Sequence, residues 1–109
     1  VNVYYDNIHS MIDLHQIAGF QWDAGNAYKS QDKHGVTQVE AEEIFFNQPL
    51  LISGDEKHSE EERRYLALGV TSAKVPLSVV FTLRKKGTLI RVVSARPMSK
   101  KERAFYEKA

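Results

Sequence analysis

Two runs in the C-terminal third constrain this chain more than any other feature. Residues 77–84 and 88–96 are rich in β-branched side chains and are separated only by Lys85, Lys86 and Gly87, a pattern that predicts a β-hairpin. A lone hairpin cannot bury its apolar face, so it must recruit further strands or helices. Residues 63–71 offer one strand, because they alternate: Arg64, Leu66, Leu68 and Val70 fall on one face, and Arg63, Tyr65, Ala67 and Gly69 on the other. Leu50, Leu51 and Ile52 read as a short buried strand that breaks at Ser53, Gly54 and Asp55, and residues 17–22 as another. Strict alternation in the last strand puts Arg91, Val93 and Ala95 on one face and Ile90, Val92, Ser94 and Arg96 on the other. Arg91 and Arg96 then share a face only if a bulge, or the strand's end near Pro97, redirects one of them.

Helix signals lie between and after the strands. Asp23 suits an N-cap for a helix over residues 24–34, with Lys33 and His34 in its last turn and Gly35 ready to adopt the left-handed conformation beyond it. Thr37 and Glu40 have capping-box spacing, which starts a second helix at Gln38 that runs to about Phe46. Ser99 and Glu102 repeat the spacing and start a closing helix through Tyr106. This order of elements predicts an α+β fold, an antiparallel sheet flanked by helices. Residues 1–16 read as an N-terminal extension, with Met11 an internal start, and residues 17–109 as one domain.

Charge is distributed unevenly. The whole chain of 109 residues is nearly neutral at +1, yet residues 84–109 carry nine Lys or Arg against Glu102 and Glu107, and residues 1–83 carry the balancing acids. Such a basic quarter attracts polyanions, RNA and DNA foremost, or simply forms a solvated basic face. Arg84, Lys85, Lys86, Lys100, Lys101 and Arg103 are its RNA-binding candidates. The chain has no cysteine, which removes thiol catalysis and Cys-ligated zinc. His9, His15, His34 and His58 fall in no metal-ligand pattern, and neither a phosphate-binding glycine loop nor a nucleophile elbow is present. No cofactor or metal is expected. With no apolar run long enough to span a bilayer, a cytoplasmic location is the default.

The chemistry-bearing residues that remain are His58, Glu62, Arg64, Arg91, Arg96 and Tyr106. They suit metal-free cleavage of RNA through its own 2′-hydroxyl, which needs a base, fixed cations on the developing phosphorane charge and an acid for the 5′-oxygen. His58 or Glu62 can serve as base, and arginines supply permanent bidentate phosphate contacts. Plainer readings stand beside these: His58 as a solvated loop residue, Glu62 and Arg64 as a surface pair, and Tyr106 as a core aromatic. A non-catalytic module that holds RNA, DNA or protein on the same basic face is the alternative function.

Taken together, Phe20, Trp22 and Asp23; Gly25, Asn26 and Lys29; Lys33 to Val36; Glu40 to Phe46; Asp55, Lys57, His58 and Ser59; Glu62, Arg64 and Tyr65; Gly69; Arg91 to Arg96; and Ser99 to Tyr106 resemble the BrnT family of type II toxin-antitoxin toxins. The resemblance implies a RelE-like fold, a metal-independent ribonuclease that halts translation, and a BrnA-type antitoxin that neutralises it. It also implies contact with operator DNA only through the toxin-antitoxin complex. By position it points to His58, Glu62, Arg64, Arg91, Arg96 and Tyr106. One departure is visible: Ser30 stands where the family usually has Asn, which bears on a polar contact of the first helix and not on the cationic set.

Overall fold

A computed structural model of the chain describes residues 12–55 and 61–109. In order, its elements are a 3-10 turn Leu14–Gln16, β1 Gly19–Phe20, α1 Lys29–His34, α2 Gln38–Glu43 continued by a 3-10 turn Ile44–Phe46, β2 Leu51–Gly54, β3 Arg64–Val70, β4 Pro76–Arg84, β5 Leu89–Pro97 and α3 Lys100–Tyr106. The described residues have the expected α+β architecture, built on a five-stranded sheet of order β1-β5-β4-β3-β2. Strands β2 to β5 form the antiparallel meander, and β1 joins β5 in parallel, making the sheet mixed.

The hairpin is present, and its register carries the main consequence. From Arg84↔Leu89 to Phe81↔Val92 the pairing is regular, but Val80 opposes Ser94, so Val93 is an extra residue on β5. A bulge of this kind inverts the alternation beyond it. Ala95 therefore joins Ile90 and Val92 on the buried face, all three at most 2 % exposed, while Ser94 and Arg96 join Arg91 on the other. Unbroken alternation is thus corrected for β5, and Arg91 and Arg96 share a face.

Other expectations change for local reasons. Residues 24–28 form turns, and α1 begins only at Lys29. Asp23 does not cap α1: its carboxylate accepts from the Gly25 amide at 2.8 Å, and the Asn26 side-chain oxygen accepts from the Asp23 amide at 2.8 Å. These side-chain bonds close a tight turn in place of a first helical turn, and Gly25 does nothing to favour helix there. Gly35 does end α1 at φ 71°, and both capping boxes form. Strand β2 continues through Ser53 and Gly54 because Leu66 and Tyr65 of β3 pair with them. Strand β1 shrinks to two residues, and past it side chains close the edge of β5: Asn26 Nδ2 donates to the Val92 carbonyl at 2.9 Å, and Ser30 Oγ accepts from the Ala95 amide at 2.7 Å. Ser30 thus makes its polar contact with a hydroxyl.

Each sheet face has its own cover. One face presents Tyr65, Ala67, Leu77, Val79, Phe81, Ile90, Val92 and Ala95 to Val36, Ala41, Ile44 and Phe45 from the helical side. Phe81 stacks on Tyr65 and meets Phe45 edge-on, with ring centroids 5.4 and 5.2 Å apart. Ile12 is buried in this core and Leu14 packs against it. Among the described residues, the opposite face is covered only in part, by α3, through a small cluster of Leu68, Met98 and Tyr106.

Sheet and helical layer approach closely at Gly69, where a Cβ would stand 2.9 Å from Ile44 Cβ and 3.3 Å from the Ile44 carbonyl oxygen. Gly69→Ala is expected to push β3 from the Ile44–Phe46 turn and cost about 1–3 kcal/mol. Urea denaturation measures this, and an unchanged midpoint would contradict the packing described.

Candidate functional site

Directly opposed residues of antiparallel strands project to the same side, so the register maps the partly covered face. Its rows, starting at the hairpin end, are Arg84 with Leu89; Arg64, Thr82 and Arg91; Leu66, Val80 and Ser94; then Leu68, Ser78 and Arg96. Arg64 and Arg91 flank Thr82, with Cα atoms roughly 10 Å apart at normal strand spacing. The Arg96 row lies four β4 residues further on, roughly 13 Å away. Of the six residues expected to form one site, the five described ones are therefore divided between two places.

Near the hairpin, two arginines converge on the segment that follows β1. Arg91 Nη1 and Nη2 donate to Asp23 Oδ2 and Oδ1 at 2.8 and 3.0 Å, and Nη1 also donates to Gln21 Oε1 at 3.1 Å. Arg84 Nε and Nη2 donate to the two Glu62 oxygens at 2.6 and 2.9 Å, and its Nη1 reaches the same Gln21 oxygen at 3.5 Å. Two donors facing one amide fix its orientation, oxygen inward. The hydrogen bond from Arg91, followed by that from the Gly25 amide, holds the Asp23 carboxyl below its ordinary pKa. Glu62 acts on Arg84 in the same way, raising its pKa mainly through their hydrogen bond. Glu62 thus pairs with Arg84, and Arg64 faces Arg91 across Thr82. Lys85 and Lys86 are exposed at the hairpin tip, at φ 53° and 56°.

The other group lies beneath α3. Arg96 Nη1 and Nη2 donate to Glu102 Oε1 and Oε2 at 2.7 and 2.9 Å, and Ser78 donates to Oε2 at 3.3 Å. Tyr106 is buried, and its hydroxyl donates to the Pro49 carbonyl. Burial pushes this phenol's pKa up. Lys100, Lys101 and Arg103 are exposed on α3. His58 lies outside the described residues.

Sequence reasoning did not single out Gln21, and it assigned Asp23 to a helix cap. The run Asp23-Ala24-Gly25-Asn26 has turn composition, which was the available signal for a polar loop at this place. Among the described residues no three His, Asp or Glu side chains form a metal-binding group. No helix among them is long and apolar enough to cross a membrane. A cleft of about 270 Å³ opens at the β1 edge, but its lining of Leu14, Ile17, Phe20, Phe45, Phe46 and neighbours contains no arginine. The arginines lie instead on the sheet face mapped above.

A sheet face with clustered arginines suits contact with a polyanion. Residues 22–102 match the family model described as the ribonuclease toxin BrnT of type II toxin-antitoxin systems. The chain belongs to that family, which makes it a type II ribonuclease toxin with RNA as substrate class and an antitoxin as partner. Comparison with curated proteins gives no match. Asp23, Glu62, Arg64, Arg84, Arg91 and Arg96 all fall within the matched segment; Gln21 and Tyr106 flank it.

Glu102 sets a pH dependence of stability. The Arg96 fork, outweighing the opposing effect of burial and aided by Ser99, lowers its pKa from 4.5 to about 2. A carboxyl depressed on folding contributes stability above its unfolded pKa and loses it as pH falls through the folded one. Glu102→Gln is expected to cost about 1–2 kcal/mol at neutral pH, screening included, and to flatten the acid slope between about pH 4.5 and 2. Denaturation at a series of pH values measures both; an unchanged slope would exclude the pair as its source.

Proposed function

We propose that this toxin is a metal-independent endoribonuclease whose phosphate clamp is the Arg64–Thr82–Arg91 row. The observation that carries the reading is the register of β3, β4 and β5, which sets Arg64, Arg84 and Arg91 on one side of the sheet at its hairpin end. Both Glu62 oxygens are engaged by Arg84, so His58 takes the base role and Glu62 orients Arg84. The base removes the 2′-hydroxyl proton and O2′ attacks phosphorus. The arginines hold the phosphorane charge, and the 5′-oxygen leaves with a proton from a general acid. Arg96 and Tyr106 stabilise the site from the α3 end. Lys85 and Lys86 at one end, and Lys100, Lys101 and Arg103 at the other, guide the RNA backbone across the face. A RelE-like fold, a cytoplasmic setting, a BrnA-type antitoxin that covers this face, and operator contact only through their complex complete the reading.

Purified protein incubated with end-labelled RNA in excess EDTA is expected to leave 2′,3′-cyclic phosphate and 5′-hydroxyl ends. Arg91→Ala should lower cleavage by about 10²-fold or more, as loss of a transition-state charge donor does, with RNA affinity only modestly weaker. A His58 base should make cleavage rise with pH across the range where imidazoles titrate, about pH 5.5 to 7.5, and that rise should be lost in His58→Ala. Cleavage that requires added Mg²⁺ would contradict the mechanism. Binding without cleavage by a folded chain would favour the non-catalytic module.

A further inference from the structure

We infer that the turn following β1 is a positioning device for Arg91, in which Asp23 and Gln21 hold one edge of its guanidinium so that the other edge meets the RNA phosphate. This inference rests on the reading of Arg91 as the clamp. It comes from comparing how the two neighbouring arginines use their forks. A guanidinium presents an end-on edge, Nη1 with Nη2, and a side-on edge, Nε with Nη2, and either can make two parallel bonds to an oxyanion. Arg84 gives its side-on edge to Glu62. Arg91 gives its end-on edge to Asp23, with Gln21 on the flank of Nη1. The side-on edge of Arg91 therefore carries no hydrogen bond to any described residue. Asp23 and a phosphate can occupy Arg91 together, and the carboxylate guides the fork without competing for the same donors.

The turn is built to be rigid. Asn26 is 6 % exposed and ties the turn in three directions, accepting from the Asp23 amide and donating to the Gln21 and Val92 carbonyls. Asp23 is fixed further by the Gly25 amide. The Arg91 side chain is 16 % exposed against 58 % for Asp23, so the arginine sits in the protein surface and the carboxylate at its rim. Gly25 matters for space: a Cβ there would stand 3.0 Å from Arg91 Nη2 and 3.1 Å from Asp23 Oδ1. Any side chain at this position crowds the pair without altering its charge.

Gly25→Ala and Asp23→Asn are therefore two independent probes, one steric and one electrostatic. Each variant, with Arg91→Ala beside them, is assayed for kcat and KM on labelled RNA and for binding of an uncleavable 2′-O-methyl RNA; thermal melts verify the fold. A positioning role lowers kcat about ten- to a hundredfold in both probes, the scale of a misplaced reacting geometry. RNA binding stays unchanged in Gly25→Ala, and unchanged or tighter in Asp23→Asn, which removes a negative charge. Asp23→Glu should recover less than full kcat, since the added methylene displaces the fork. If Asp23→Asn raises both binding and kcat, the carboxylate is a competitor of RNA and the inference is overturned. Wild-type kcat in both probes, with Arg91→Ala inactive, overturns it and leaves the clamp intact. Full activity in Arg91→Ala instead removes the clamp itself.

Discussion

A single unpaired residue, Val93, sets the relation between this protein's core and its functional face. Before it, β5 alternates in one phase, burying Ile90 and Val92; after it the phase inverts, so that Ala95 is buried and Arg96 turns to the side of Arg91. Were Val93 paired in regular alternation instead of bulged, Arg96 would enter the apolar layer that faces Ile44 and Phe45, where an unpaired charge is strongly unfavourable. The bulge lets one strand serve a dry face along its whole length and still deliver every arginine to the other side. It also leaves Val92 and Ala95 with backbone groups beyond the reach of the short β1, and Asn26 and Ser30 supply the missing hydrogen bonds. The same Asn26 anchors the turn that holds Arg91, so edge closure and site geometry have a common origin.

The ion pairs at the hairpin end, Arg84 with Glu62 and Arg91 with Asp23, are better understood as orientation than as stability. Exposed pairs contribute little, because water already solvates their charges and salt screens them. What the bidentate forks fix is direction. The Arg96 and Glu102 pair tethers α3 to the sheet at the row of Ser78, while the two upper pairs leave the guanidiniums beside each other around one neutral amide oxygen. Gln21 suits that place, since it accepts from both arginines without neutralising either.

Legibility from sequence followed the range of each interaction. The hairpin, the alternating β3 and both capping boxes depend on residues within a few positions of each other, and Thr37 with Glu40 or Ser99 with Glu102 were readable for that reason. Gly35 was readable because a left-handed residue after a helix favours glycine. The turn at residues 23–26 was not, because Asp23 satisfies the spacing of a helix cap equally well and its choice is made by Arg91, 68 residues away. The pairing of Glu62 with Arg84 spans 22 residues, and nothing local favours it over Arg64. The Val93 bulge is set by how β4 and β5 must align over nine residues each, a condition no single position reveals. The family pattern identified the class of protein, yet it could not divide the cationic residues between the Arg91 row and the α3 clasp.

The central claim is that RNA phosphates bind the sheet face at the Arg64–Thr82–Arg91 row. The most direct measurement is NMR mapping of backbone amide and arginine Nε–H shifts while an uncleavable 2′-O-methyl oligoribonucleotide is added. The expected result is a set of changes centred on Arg64, Thr82, Arg84 and Arg91, with the Arg91 Nε–H signal moving most. Changes confined to Lys100, Lys101 and Arg103 on α3, with Arg91 unmoved, would contradict it.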